Sequence, residues 1–346
     1  MSALARLLPT LRRGRQLRTG VATLAVACLA LTACGDSGGT SGSSGTNSGD
    51  AKPISRLQIM APADPGGGWD STARAMSTAI EGAALAKSTT VTNVPGAGGT
   101  IGLAQLANEK SEDFLMVMGL VMVGAIETNK SKNTLDDVTP IARLTAEDEI
   151  IVVPAKSPFK TIKDLGDALK AQGRKVSIAG GSAGGTDHIL AGLVAKAAGA
   201  SPADLNYVPF SGGGESLAAL LGNKVSAGIS GVSEYAEQIK AGKLRALAVS
   251  GPERVDGVDA PTIKEGGYDV ELINWRGVVA PKGISADAKD RLVTLVTKLH
   301  DSSQWKTTLT EKGWDDTFLA GDEFASFIKE EETKTSAVLK DLGLAS

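Results

Sequence analysis

Short apolar runs alternate along this chain with stretches whose apolar residues recur at helical spacing. The runs Leu57–Ala61, Thr89–Val94, Phe114–Met118, Ile141–Leu144 and Ile150–Val153 predict strands. So do Val176–Ala179, Tyr207–Phe210, Ala227–Ser230, Leu244–Val249 and Val278–Ala280. Helical periodicity marks Trp69–Glu81, Gly102–Glu109, Thr161–Gln172, His188–Ala198, Glu215–Leu221 and Val232–Ala241. It returns at Ala286–His300, Gln304–Lys312 and Asp322–Asp341. Thr161 reads as an N-cap and Gly242 as a helix stop. Strands alternating with helices predict an α/β protein whose sheets are mostly parallel and covered by helices.

At four strand-to-helix junctions the chain passes through a glycine-rich loop. These are Ala63-Asp-Pro-Gly-Gly-Gly-Trp-Asp70, Pro95-Gly-Ala-Gly-Gly-Thr100, Gly180-Gly-Ser-Ala-Gly-Gly-Thr186 and Ser211-Gly-Gly-Gly-Glu215. The first N–H groups of a helix have no partner within it, and the helix dipole makes that end partly positive. In α/β sheets ligands sit outside the carboxyl ends of strands, where these loops fall. None of the four loops contains Lys or Arg, so an anion would be held there by backbone, with Ser182, Thr186 and Ser211 as added hydroxyl donors. Binding without a formal counter-charge suits a protein that must release its cargo.

The amino-terminal segment places the protein outside the cell. Residues 1–20 carry Arg6, Arg12, Arg13, Arg15 and Arg18 and no acid, and an apolar stretch from Val21 to Ala33 follows. This is a secretory signal, too short for a membrane span. It ends in Leu31-Thr-Ala-Cys34, which resembles a bacterial lipoprotein box, with Cys34 as the lipidated residue. Arg12-Arg13 is only a weak twin-arginine signal. Cys28 would be lost with the leader, so the mature chain has one thiol and no internal disulfide. The Gly/Ser-rich stretch that follows is a flexible tether with a reach of roughly 20–25 Å. Residues 1–33 are thus the signal, 34–52 the anchor and tether, and the folded part begins at 53.

Charge and the remaining motifs narrow the function. The formal charge is −3, and −8 once the five arginines leave with the signal, so nucleic acid is not an expected partner. Gly180-Gly-Ser182-Ala-Gly184 satisfies G-x-S-x-G between a strand and a helix, which raises a Ser182 hydrolase, but nothing marks the acid of a triad. Gly96-Ala-Gly98 lacks the spacing of a dinucleotide fingerprint, and no P-loop is present. Histidines and cysteines are too few for a zinc cluster, so no metal or cofactor is expected.

The loops and their neighbours resemble, in order, the substrate-binding proteins of tripartite tricarboxylate transporters. The resemblance rests on Pro62-Ala-Asp-Pro-Gly-Gly-Gly-Trp-Asp-Ser-Thr-Ala-Arg74, Asn93-Val-Pro-Gly-Ala-Gly-Gly99 and Pro158-Phe-Lys-Thr-Ile-Lys-Asp-Leu165. It continues through Ser182-Ala-Gly-Gly-Thr-Asp-His188, Val208-Pro-Phe-Ser-Gly-Gly213 and Gly242-Lys-Leu-Arg-Ala-Leu-Ala-Val249. Pro261-Thr-Ile-Lys-Glu-Gly266 and Trp275-Arg-Gly-Val-Val-Ala-Pro-Lys-Gly283 complete it. Each motif is unspecific alone; the ordered set spans essentially all of 55–346.

The resemblance implies a class II periplasmic-binding-protein-like fold of two lobes, 53–154 plus 276–346 and 155–275. A small carboxylate would be enclosed between them by hinge closure and passed to the membrane subunits of a secondary transporter. The expected ligand is a di- or tricarboxylate, an aromatic acid or an acidic amino acid, and the expected state a monomer anchored to the outer face of the membrane by Cys34. A sensor subunit using the same site is the alternative. Ala63, Asp64, Gly66, Gly67, Gly68 and Asp70 become ligand-binding candidates in the first lobe, with Gly98 and Gly99 beside them. Ser182, Gly185, Thr186, His188, Phe210, Ser211 and Gly212 are their counterparts in the second. Each has a plainer reading: Asp70 as an early-turn acid, Thr186 as a cap, His188 as packing, Gly98 and Gly99 as positive-φ residues. The fourth loop departs from the family pattern, with Phe210-Ser211 where a tyrosine and lysine are common, and with Glu215 after the glycines. That loss of a cation disfavours citrate and favours a monocarboxylate, or an amino acid whose ammonium meets Glu215 or Asp64.

Overall fold

A computed structural model describes residues 54–345. The signal sequence, Cys34 and the tether lie outside the described residues. In chain order the elements are β1 (Leu57–Ala61), α1 (Gly68–Gly82), β2 (Thr89–Asn93), α2 (Thr100–Leu106), β3 (Phe114–Gly119), α3 (Leu120–Thr128) and β4 (Val138–Pro154). Then come α4 (Ile162–Gln172), β5 (Ser177–Gly180), α5 (Thr186–Ala197), β6 (Asn206–Pro209), α6 (Gly213–Leu221), β7 (Ala227–Gly231), α7 (Val232–Lys240) and β8 (Leu244–Val249). β9 (Ile273–Pro281), α8 (Ala286–Asp301), α9 (Ser303–Lys312), β10 (Asp315–Ala320) and α10 (Gly321–Asp341) close the chain.

The strands run in the order β2-β1-β3-β9-β4-β7-β5-β6, with β8 and β10 also pairing to β4. Pairing is parallel in the outer parts, β1 with β2 and β3, and β5 with β6 and β7. It is antiparallel around β4 and β9, so the parallel arrangement predicted from alternation belongs to the flanks and not to the centre. β4 changes partners along its length: Val138 to Asp148 lies against β9, whereas Glu149 to Pro154 lies against β7 and β8. One strand is therefore shared by two sheets.

Two bodies of core follow from that division. Around the first sheet, Leu57, Ile59, Met76, Leu103 and Met116 pack with Trp305, Phe324 and Ile328 from α9 and α10. Around the second, strand alternation serves both faces. Ile151 and Val153 pack with Leu165, Leu190 and Val194, while Ile150 and Val152 pack with Leu220, Tyr235 and Leu244.

Three elements escape sequence periodicity. α3 is apolar on all sides and continues the run that begins in β3, so only the extended Gly119 marks the break. β10 is half polar and pairs only with β4. β4 itself is continuous where the sequence predicts two strands separated by Glu147, Asp148 and Glu149, because the interior acids face a polar cleft.

The predicted cap at α4 is a reciprocal pair: Asp164 N–H donates to Thr161 Oγ1 at 3.1 Å, and Thr161 N–H donates to Asp164 Oδ2 at 3.0 Å. Thr161→Ala is expected to lower stability by about 1 kcal/mol in urea titrations, without changing the slope.

Candidate functional site

Each glycine loop is held in shape by a side chain from the helix it introduces. In the first, Gly66 N–H donates to Asp70 Oδ2 at 2.9 Å, and Asp70 also accepts from Arg74 Nε and Asn93 Nδ2, each at 2.9 Å. Burial pushes the Asp70 carboxyl upward, but the bonds from Arg74, Gly66 and Asn93 outweigh it and hold it below the ordinary range. In the third loop, Gly181 N–H donates to Asp187 Oδ2 at 2.6 Å and Gly184 N–H donates to His188 Nδ1 at 3.1 Å. His188 stacks on Tyr207 with centroids 4.1 Å apart, and burial lowers its pKa to about 4, so the ring is neutral. In the fourth, Ser211 N–H donates to the exposed Glu215 at 3.0 Å. In the second, Thr100 Oγ1 donates to the Ala97 carbonyl at 2.9 Å, Gly98 and Gly99 have φ of +61° and +86°, and Gly99 lies against Trp69 and Met122 with no room for a side chain.

The loops converge on one cleft. Ala63, Gly67, Gly68, Gly98, Gly99, Ser182, Ser211 and Gly212 line it. Asp64, Gly66, Asp70, Gly185, Thr186, His188 and Phe210 lie outside that lining; Phe210 borders a shallower groove at its edge with Ala97, Asn129 and Glu215. Asp70 and His188 hold the loops from behind. The first and fourth loops meet, since a Cβ on Gly212 would lie 3.6 Å from the Gly67 Cα. The second and third meet likewise, with a Cβ on Gly98 falling 3.4 Å from the Ser182 Cβ. Neither His188 nor His300, the latter bonded to Asp316 at 3.0 Å, is hydrogen-bonded to Ser182.

The floor of the cleft is built from residues outside the four glycine loops. Glu147 and Glu149, two apart on β4 and hence on one face, stand with Asn274 and Arg276 of β9. Asp187 at the start of α5 and Glu234 at the start of α7 complete it. Arg276, Glu149, Asp187, Glu234 and Asn274 line the cleft. Arg276 pairs with Glu147, both at most 3% exposed, and Ser233 Oγ donates to Glu147 at 2.7 Å. Asn274 Nδ2 donates to Glu149 Oε1 at 2.6 Å, and Ser230 Oγ donates to Glu234 Oε2. The expectation of a site without a formal cation is thus corrected: the loops lack one, but β9 brings Arg276 to it. Nor do Glu215 or Asp64 supply the acid, because Glu215 points outward to its own loop and Asp64 is absent from the lining. The sequence did hold a signal, namely charged residues inside strands that are otherwise largely apolar.

Four helix starts, those of α1, α5, α6 and α7, contribute Gly68, Asp187, Gly213 and Gly231 to this cleft. They face a cluster of carboxyls whose affinity for protons is high. Burial raises Asp187 to about 6, against the bond from Gly181 N–H and the charge of Arg276. Burial raises Glu234 to about 7 despite the Ser230 bond, with Glu147 and Asp187 adding repulsion. Glu149 is pushed well above the ordinary range by burial and by Asp187, Glu147 and Glu234.

Residues 73–344 match the family described as Tripartite tricarboxylate transporter family receptor. The chain belongs to that family of solute-binding receptors. Protein BugT of Bordetella pertussis is 27% identical over 314 residues, covering 88% of this chain and 94% of that protein. A UPF0065 protein of Agrobacterium vitis is 28% identical over 248 residues, 70% of each chain. Among solved structures, the periplasmic binding protein BugD superposes with a TM-score of 0.77 at 23% identity, over 85% of this chain and 99% of that one. MatC of Rhodopseudomonas palustris with bound malate gives 0.73 at 22%, over 83% and 100%. A second R. palustris protein with adipate gives 0.77 at 21%, over 85% and 99%. These likenesses show the two-lobe α/β fold of periplasmic binding proteins.

Because Glu234 holds its proton more tightly folded than unfolded, its contribution to stability is present below pH 4.5 and is lost as pH rises through about 7. Glu234→Gln is therefore expected to match the parent Tm at pH 4.5 and to exceed it by roughly 3 °C at pH 8, in scanning calorimetry of ligand-free protein.

Proposed function

We propose that this chain is an extracytoplasmic receptor that captures a small carboxylate and delivers it to the membrane subunits of a tripartite transporter. The observation that carries the reading is the meeting of four helix starts and the Arg276 guanidinium at one cleft, in a chain of this receptor family. Partly positive helix ends and a guanidinium fork are what a carboxylate needs when it leaves water. The malate and adipate held by two proteins of the same fold support that ligand class.

In this reading residues 53–148 with 273–346 form one lobe and 149–272 the other, and the ligand lies where the loops of the two lobes meet. The boundaries move from 154 and 276 because residues 149–154 pair with β7 and β8, while 273–275 pair with the first-sheet part of β4. Opening about the segments that join the lobes admits the ligand; closing brings Gly67 against Gly212 and Gly98 against Ser182, and removes water from the site. Arg276 is already bonded to Glu147, so a ligand carboxylate shares the guanidinium rather than owning it, and release stays accessible. Lipid at Cys34 and the Gly/Ser-rich stretch keep the receptor within reach of its membrane partners.

A thermal-shift series with malate, succinate, glutarate, adipate, citrate, benzoate, nicotinate and the acidic amino acids tests the ligand class. A ligand at 100 times its Kd is expected to add about 2.7 kcal/mol of stability; a series in which no carboxylate raises Tm rejects the reading. For the anchor, Cys34→Ser is expected to move the protein from the membrane fraction to the soluble one, and retention in the membrane fraction would remove lipidation from the account.

A further inference from the structure

The hydrogen-bonding inventory of the cleft floor is lopsided. Glu149 is fully buried and belongs to a strand rather than to the first turn of a helix. Its Oε1 accepts from Asn274, but its Oε2 has no partner. Two further acceptors in the same lining, Glu234 Oε1 and Asn274 Oδ1, are also shielded from solvent and unpartnered. Against these three acceptors stands a single unpartnered side-chain donor of the floor, Arg276 Nη1, beside the backbone N–H groups of the helix starts. A polar atom left unpaired in a buried site costs about 1–3 kcal/mol, and more if charged. Receptor sites leave such atoms for the ligand to complete.

Resting on the receptor reading above, we propose that the ligand is a small amino acid or related aminocarboxylate, whose ammonium is received by Glu149 Oε2 and Glu234 Oε1 while its carboxylate takes Arg276 Nη1 and the helix starts. A ligand with carboxylates alone would take Arg276 Nη1 and the helix-start N–H groups, but Glu149 Oε2 and Glu234 Oε1 would then be satisfied only by taking up protons. An ammonium has three donors and no acceptor, which is the complement of the floor. The charges agree. Glu147 of β4 is neutralised by Arg276 of β9, which leaves Glu149 of β4, Asp187 of α5 and Glu234 of α7 facing one another without a cation. Asp187 is engaged by Gly181 N–H and stabilises its loop, so Glu149 and Glu234 are the pair with a free oxygen. Glycine at position 213 is part of the design, because a Cβ there would collide with the Glu234 carboxyl and with Ser230 Oγ.

The experiment is calorimetry at pH 7 on the mature chain. One panel is the twenty common amino acids; the other is malate, succinate, glutarate and adipate, with the amine-free counterpart of every amino acid that binds. At least one amino acid is expected to bind tenfold or more tightly than its amine-free counterpart. Titration in two buffers of different ionisation enthalpy is expected to show protons released, since an ammonium drives them off Glu149 and Glu234; a purely anionic ligand would draw them in. Glu149→Gln keeps the acceptor that Asn274 uses and removes the charge. It is expected to weaken the amino acid at least tenfold, to leave amine-free acids unchanged or tighter, and to keep the parent Tm or exceed it. Binding of amine-free acids as tight as that of any amino acid, or a Glu149→Gln variant that binds the amino acid unchanged, overturns this inference and leaves the receptor reading in place. Failure of both panels, and of citrate, benzoate and nicotinate, to bind overturns the receptor reading itself.

Discussion

The buried pair of Glu147 and Arg276 is the constraint around which the rest of the site is arranged. Taking both charges out of water is costly, and their attraction repays it only when the remaining donors and acceptors are matched. Ser233 supplies one match to Glu147, and the guanidinium lies 5.4 Å from the ring centre of Trp314. The two residues sit on neighbouring antiparallel strands in diagonal register, since Glu147 opposes Asn274 and Arg276 opposes Thr145. Close backbone approach is then required on both sides. A Cβ at Gly68 would run into the Arg276 guanidinium, and one at Gly231 into the Glu147 carboxyl. The first glycine begins α1 and the second caps α7, so the ion pair determines where two helices start.

This gives the glycines a role different from anion cradling alone. Gly180 and Gly181 border the Asp187 carboxyl, and Gly213 borders that of Glu234. Side-chain charges are packed against helix starts, and the positive ends of α5 and α7 partly offset the acids placed in their first turns. Glu149 is the exception, with no helix end of its own. The empty cleft therefore carries electrostatic repulsion that protonation or a ligand relieves. A site built in this way is less stable empty than its cores would allow, and in the proposed function that difference would couple ligand capture to closure.

Much of the architecture was legible along the chain because its determinants are local. Helix and strand periodicity located most elements, Thr161 formed the expected N-cap, which Asp164 completes as a capping box, and the glycine loops fell at strand ends. The misses share a cause. α3 has no polar face to give it a period, and the acids of β4 looked like a break because charged residues in a strand ordinarily face water. Loop composition likewise pointed to an anion site without cations, since Arg276 lies 61 residues beyond the last of those loops, just ahead of the short run Val278–Ala280 that alone reads as a strand there.

What the chain alone determined was therefore the set of parts: α/β alternation, four loops able to expose helix starts, and a family order that places them in two lobes. Only the tertiary structure decided what those loops face. Glu147 and Glu149, Asp187, Glu234, and Asn274 with Arg276 come from β4, α5, α7 and β9, and they meet because β4 is shared between two sheets. Periodicity reports which face of an element is buried, and it carries no record of which distant element lies opposite. The charge of this cleft, and with it the choice of ligand, depends on that second fact.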